Sequence, residues 1–174
     1  MRLVHLTDPH LSSLASESLA SLRGKRWSGY LSWKKNRSKK YLPSVLESMV
    51  KAIQSELADQ ILLTGDLIHI GLEKEIAEAS NWLASLGSAQ QVMLVPGNHD
   101  IYAGDSAGKV NDLWSDYLFH GEQAETAWPV GEFPVLRKRG KLSFIGVSSA
   151  CVTPVFMASG EVGEQQLGRL AELL

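Results

Sequence analysis

Three short apolar runs in the first hundred residues each stop abruptly in a cluster of ligand-type side chains, and this repeated pattern constrains the fold most. Leu3–Leu6 gives way to Thr7-Asp8-Pro9-His10, where a proline removes a ladder donor and ends the strand. Ile61-Leu62-Leu63 breaks at Gly65-Asp66, and the run 91–95 enters Pro96-Gly97-Asn98-His99-Asp100, a set of turn formers that a strand interior does not accept. Between the runs the apolar spacing becomes helical. Leu42, Val45, Leu46, Met49, Val50, Ile53 and Leu57 predict an amphipathic helix with Pro43 near its start. Leu72, Ile76, Ala79, Leu83 and Leu86 predict a second, capped by Gly87. The order β-loop-α-β-α-β is that of an α/β chain, and open α/β sheets hold ligands at the carboxyl ends of their strands.

Further along, Trp114, Tyr117 and Leu118 predict a short helix, 133–137 and 142–147 two strands joined at Arg139-Gly140, and 164–174 a last helix. No repeat, low-complexity stretch or Pro-rich linker divides the chain, so 1–174 reads as one domain.

No apolar run approaches the ~18 residues of a membrane span, and the N-terminus lacks the pattern of a cleavable signal. The expected location is cytoplasmic, or peripheral to the inner membrane face. Cys151 is the one cysteine, read as a small buried hydrophobe, so any metal must be held by His, Asp, Glu or Asn. The net charge of −2 hides an asymmetry, because 23–40 carries eight basic residues and no acid, which leaves −10 on the rest. Within that segment Trp27, Tyr30, Leu31 and Trp33 fall broadly along one helical face. The basic aromatic insertion, 22–41, reads either as a cap or interfacial helix for lipid headgroups or nucleotide phosphates, or as a solvated insertion packed on the domain. Single-stranded nucleic acid is a third partner such a stretch suits.

The polar clusters have the composition of a metal site. A divalent cation takes carboxylate and imidazole ligands at ~2.0 to 2.2 Å, and a second one ~3.5 to 4 Å away needs a shared oxygen. Asp8 and His10, two apart, point the same way if extended backbone persists through Pro9, and so grip one ion. Asp66 is placed to bridge, Asn98 offers a neutral oxygen, and Gly65 and Gly97 permit close backbone approach to metals or an oxyanion.

In this order, Asp8-x-His10, Gly65-Asp66 and Gly97-Asn98-His99-Asp100 resemble the D-x-H, G-D and G-N-H-D motifs of the calcineurin-like metallophosphoesterase superfamily. The resemblance implies a layered α/β/β/α sandwich with mixed sheets, incomplete at the C-terminus, and two divalent ions, Mn, Fe or Zn, with Mg an option. It implies that Asp8 and His10 ligate the first metal, that Asp66 bridges and that Asn98 ligates the second. It also implies that His99 faces the substrate phosphate, stabilising the transition state or protonating the leaving oxygen, and that Asp100 orients it. The implied chemistry is attack on phosphorus by a metal-bridging hydroxide.

The family pattern continues into an isolated His and a G-H-x-H motif, whereas the remaining histidines here are His5, His69 and His120, none in that context. The chain therefore reads as C-terminally truncated, with an open edge prone to self-association. His5, His69 and His120 read as packed or edge residues, with a supporting role beside the site as the alternative for His69. Protein phosphatase is disfavoured, since the second motif lacks G-D-x-x-x-R-G and the third ends in Asp100. The reading is a metal-dependent phosphoesterase, with phosphodiesterase the preferred form, acting on a small-molecule or lipid-linked phosphodiester or phosphomonoester, with an anionic surface contact through 23–40. Its rivals are a non-catalytic phosphate- or metal-binding remnant and a nuclease of the same superfamily.

Overall fold

The structure, a computed structural model, describes residues 1–11, 14–40, 43–120 and 132–174. Strand β1 (Leu3–Leu6) leads through two short 3-10 turns into helices α1 (Lys25–Asn36) and α2 (Pro43–Ser55). Then follow β2 (Gln60–Thr64), α3 (Glu73–Leu86), β3 (Val92–Val95), α4 (Ser106–Phe119), the hairpin β4 (Val135–Arg139) and β5 (Leu142–Gly146), and α5 (Glu164–Leu173). The order agrees with the sequence pattern except that α1 occupies the stretch between the first strand and the first expected helix, and α4, at 14 residues, is longer than the short helix expected around Trp114 to Leu118. Leu42 lies outside the described residues, and Leu57 lies beyond α2, 79% exposed with a left-handed φ of 48°, so it adds nothing to that helix's apolar face. The fourth strand runs two residues further than 133–137 because Arg137 pairs with Phe144 and Arg139 with Leu142, leaving Gly140 (φ 60°) to open the turn.

The first sheet is parallel, ordered β1-β2-β3, with Val4 opposite Ile61 and Ile61 opposite Val92. Strand alternation sends Ile61, Leu63, Val92 and Leu94 to one face, where Ile53, Ile76, Ala79, Leu83, Val110 and Trp114 of the helices cover them. Fully burying side chains of this size contributes about 1.5 to 3 kcal/mol each. Trp114 is wholly buried and its indole N–H donates to the Ile76 carbonyl at 3.0 Å, tying α4 to α3. Met93 and Val95 alternate to the opposite face and meet β5, where a Cβ on Gly146 would lie 2.8 Å from Met93 Cε. The result is a mixed α/β architecture, with a parallel sheet between helices and an antiparallel hairpin.

Among the described residues the hairpin stacks on the sheet at β3. On β1 the same face, with Leu3 and His5, is exposed, and His5 bonds Thr64 Oγ1 at 3.0 Å at the sheet surface. His120 is exposed at the end of α4. Cys151 is half-buried rather than buried, in the irregular segment after β5. No helix among the described residues is long and apolar enough to cross a membrane.

Candidate metal centre

Past Leu6 and Thr64 the two chains keep running side by side. The N–H groups of Asp8, His10 and Leu11 donate to the carbonyls of Gly65, Asp66 and Leu67 at 3.1, 3.1 and 2.8 Å. This continuation sets Asp8 and His10 against Asp66, although not by the extended geometry expected through Pro9. Asp8 and His10 instead take left-handed φ values of 53° and 45°, and Asp66 one of 55°. Three of the five non-glycine residues with positive φ among the described residues are thus motif residues, strain that the flanking hydrogen bonds hold in place.

The glycines bring the loops to each other. Gly65 has φ 80°, and a Cβ there would fall 2.3 Å from Gly97 N, while one on Gly97 would fall 2.2 Å from Asp66 Oδ1. Asp100 locks the same junction. Its fully buried carboxylate accepts the N–H groups of Asp66 (2.9 Å), Leu67 (2.9 Å), Ile68 (3.3 Å) and Gly97 (2.8 Å). Burial pushes its pKa up to about 7 against those donors. In place of the orienting contact with His99 that the resemblance implies, Asp100 spans the second and third loops.

His10 is buried, and its Nδ1–H donates to the Ile68 carbonyl at 3.0 Å. Nε2 then faces two carboxylates, with Asp8 Oδ1 at 3.9 Å and Asp66 Oδ2 at 4.0 Å. Burial, more than any neighbour, holds the His10 pKa below its usual value, which favours the neutral imidazole that a metal requires. Ligands bound to one cation at ~2.0 to 2.2 Å stand up to ~4 Å apart, so these three side chains fit a divalent ion between them.

His99 Nδ1–H donates to the His69 carbonyl at 2.5 Å, its Nε2 accepts from Arg37 Nη1 at 3.0 Å, and its backbone N–H donates to Asp66 Oδ1 at 2.9 Å. Ligand atoms of His10, Asp66 and His99 all lie within 4.8 Å of one another. Both ring nitrogens of His99 are engaged, however, whereas Asp8 presents a half-exposed carboxylate to His10 Nε2. Asn98 is half-buried and lines, with Asp66, Thr64 and Gly97, a cavity of about 530 Å³ that reaches to Ser149 and Gly160.

Much of the order in this site comes from one segment after Asp66. Four consecutive carbonyls each serve a nitrogen of the site or of α1: Ile68 takes His10, His69 takes His99, and Ile70 and Gly71 take Arg26 Nε (3.2 Å) and Nη2 (2.7 Å). From behind, buried Glu75 accepts the N–H groups of His69 (2.8 Å), Ile70 (3.2 Å) and Leu72 (3.0 Å). The His69 ring stacks on His10, with centroids 5.0 Å apart and planes within 3°. Burial first, then the charges of His10, His99 and Arg37, lower its pKa to about 3.

Sequence reasoning missed Glu75, Arg26 and Arg37 and gave His69 a minor place. An acid in the first turn of the helix that follows Gly65-Asp66 was a usable sign for Glu75. Nothing local marks Arg37.

Carboxylate and imidazole ligand atoms gathered at the carboxyl ends of parallel strands have the make-up of a divalent-metal site on an α/β fold. The calcineurin-like phosphoesterase family model matches residues 1–161, and the chain belongs to that family. It is a metallophosphoesterase, a hydrolase of phosphoric ester bonds. No curated protein matches the chain.

Proposed function

We propose that the chain hydrolyses a phosphodiester using two divalent cations, the first held by Asp8, His10 and Asp66 and the second by Asp66 and Asn98, with His99 beside the phosphoryl group. The observation that carries this reading is the placement of His10 Nε2 at 3.9 and 4.0 Å from the two carboxylates, with its other nitrogen fixed on a carbonyl. Bound cations supply charge neutralisation for the phosphoryl oxygens and a water of lowered pKa.

The chain's own groups do the positioning. The Ile68 carbonyl fixes the His10 proton on Nδ1, so Nε2 points at the cation position. The His69 carbonyl does the same for His99, so Nε2 is the atom that meets substrate oxygen and carries a proton to or from it. Asp66 is held by the His99 N–H through Oδ1, which leaves Oδ2 toward His10. The cavity beside Asp66 and Asn98, about 530 Å³, accommodates an ester with two substituents, which supports a diester over a bare monoester.

The test is metal content by mass spectrometry on desalted, Mn-reconstituted protein, with hydrolysis of bis-p-nitrophenyl phosphate and p-nitrophenyl phosphate on the same sample. Two ions per chain and faster diester turnover are expected, with Asp66→Asn losing both metal and turnover. Preference for the monoester overturns the diester assignment, and an Asp66→Asn variant that keeps two ions overturns the bridge.

A further inference from the structure

Helix α1 is docked as a wall of the site. Arg26 binds the carbonyls of Ile70 and Gly71 and pairs with Asp105 at 2.8 Å. Lys25 lies 4.3 Å above the Tyr102 ring and donates to Thr153 Oγ1 at 2.8 Å. Tyr30 and Trp33 are buried against Leu14, Ile70 and Tyr102, while Trp27 is 49% exposed, so the aromatics share no single face. Of the eight basic residues of 23–40, Arg23, Lys34, Lys35, Lys39 and Lys40 stay exposed. Arg37, which ends the helix, turns in to His99.

Three features of Arg37 call for a ligand. It is half-buried, and no carboxylate among the described residues lies within ion-pair distance of it; its side-chain partner is a neutral imidazole nitrogen. That nitrogen, His99 Nε2, is the atom the hydrolytic reading directs at substrate. Beside the pair, Gly29, Ser32, Trp33, His69 and Tyr102 complete a cavity of about 70 Å³, space for roughly two waters. Trp33 lines it, and its indole N–H is buried without an acceptor among the described residues. A cation at a small cavity lined by an indole whose N–H has no acceptor among the described residues, beside the histidine that meets substrate oxygen, suits an oxyanion, which is a better acceptor for guanidinium than imidazole is.

We infer that Arg37 is a substrate-positioning residue that binds the non-bridging phosphoryl oxygens, exchanging His99 Nε2 for the oxyanion when substrate enters. This rests on the phosphoester reading of the site and deepens it. The exchange makes and breaks hydrogen bonds only. It frees Nε2 as the guanidinium engages the anion, so α1 couples substrate binding to the availability of His99.

The probe is inorganic phosphate, titrated by calorimetry into desalted, Mn-loaded protein. Arg37→Gln is expected to weaken phosphate binding by about tenfold to a hundredfold, the loss of one charge-assisted hydrogen bond to an anion. Arg37→Lys, which keeps the charge without the planar fork, is expected to fall between, and it decides the matter if the Gln variant does not fold. Lys34→Gln removes the same charge from the exposed side of α1 and is expected to stay within about twofold, since surface charge is screened. Diester hydrolysis on the same samples should show KM rising more than kcat falls in Arg37→Gln. Wild-type-like binding by both Arg37 variants, an equal loss in Lys34→Gln, or no phosphate binding by wild type overturns the inference. Arg37-dependent phosphate binding without turnover would instead overturn the hydrolytic reading and leave this site standing.

Discussion

The carbonyl of His69 receives Nδ1–H of His99 at 2.5 Å, one residue along from the Ile68 carbonyl that receives Nδ1–H of His10 at 3.0 Å. Two adjacent peptide units therefore choose the tautomer of both site histidines. Their positions depend in turn on Glu75, whose carboxylate gathers three N–H groups from the same segment. A geometry held this way is only as stiff as its anchor.

Glu75→Gln should therefore injure the site from a distance. An amide can accept on one oxygen only, so at least one of the three N–H groups loses a buried acceptor, at a cost of about 1 to 3 kcal/mol. Urea unfolding should show that loss. Diester turnover measured well below the unfolding midpoint should still fall severalfold as the His99 support loosens. Full activity in a destabilised Glu75→Gln would show that the segment holds its shape without the carboxylate.

His69 gives the pH dependence a definite sign. Its pKa is about 3 in the fold against 6.5 for a free imidazole, so between these values the unfolded chain binds the extra proton. Its contribution to stability is present above pH 6.5 and is lost as pH falls toward 3. Asp100 works oppositely, because its pKa of about 7 lies above the ordinary 3.8, so its contribution is full below 3.8 and is lost as pH rises through 7. The two are separated by subtraction: metal-free His69→Phe, which keeps an aromatic ring against His10, should lose less stability than wild type on acidification from pH 6.5 to 4.5. The difference should approach about 1.4 kcal/mol per pH unit. Parallel curves for the two proteins would contradict this.

Residues with local signatures were legible in the sequence, and residues recruited from afar were not. Leu3–Leu6, Ile61 to Leu63 and the loops after them could be read because strand period, proline and glycine act over a few residues. That Asp8, His10 and Asp66 would meet followed from their common place at strand ends. That they would do so in left-handed backbone did not, because the conformation is imposed by hydrogen bonds from Asp8 to Gly65 and from His10 to Asp66, each 3.1 Å, across 56 residues or more of chain. Asp100 sat in a motif, but its four N–H partners lie on two different loops, and only the folded backbone collects them. Arg37 reaches His99 from the end of a helix 62 residues upstream, a contact that no spacing rule encodes.

Arg137 tests how the hairpin is fastened. It is 1% exposed, and its guanidinium donates to the carbonyls of Ala89 (2.9 Å), Val92 (2.7 Å) and Tyr117 (2.9 Å), with no carboxylate partner in that set. Burial lowers its pKa to about 10, so it remains cationic at neutral pH and is held by carbonyl dipoles, one of them near the C-terminal end of α4. Arg137→Leu strands one buried acceptor, on Val92, and two part-buried ones, on Ala89 and Tyr117, and should cost about 2 to 4 kcal/mol in urea unfolding. Metal stoichiometry should not change, because β4 contributes no ligand. A loss of metal on this substitution would show that the hairpin supports the centre directly.

Gly29 decides whether the seating of α1 matters to catalysis. A Cβ on Gly29 would lie 2.4 Å from Tyr102 Oη and 2.7 Å from Ile70 Cγ2, and Ile70 is almost fully buried. Gly29→Ala should raise the helix propensity of α1 yet push the helix off its bed, with overpacking costing about 1 to 3 kcal/mol against a propensity gain of at most about 1 kcal/mol. The displacement is transmitted to Arg37 at the end of the same helix, so KM for the diester should rise in parallel with the stability loss. Gly163→Ala, at a position with nothing within 4 Å of the added methyl, controls for the substitution itself and should leave both quantities close to wild type. If Gly29→Ala lowers stability while KM stays fixed, α1 is a structural cover and Arg37 reaches His99 independently of how closely the helix packs.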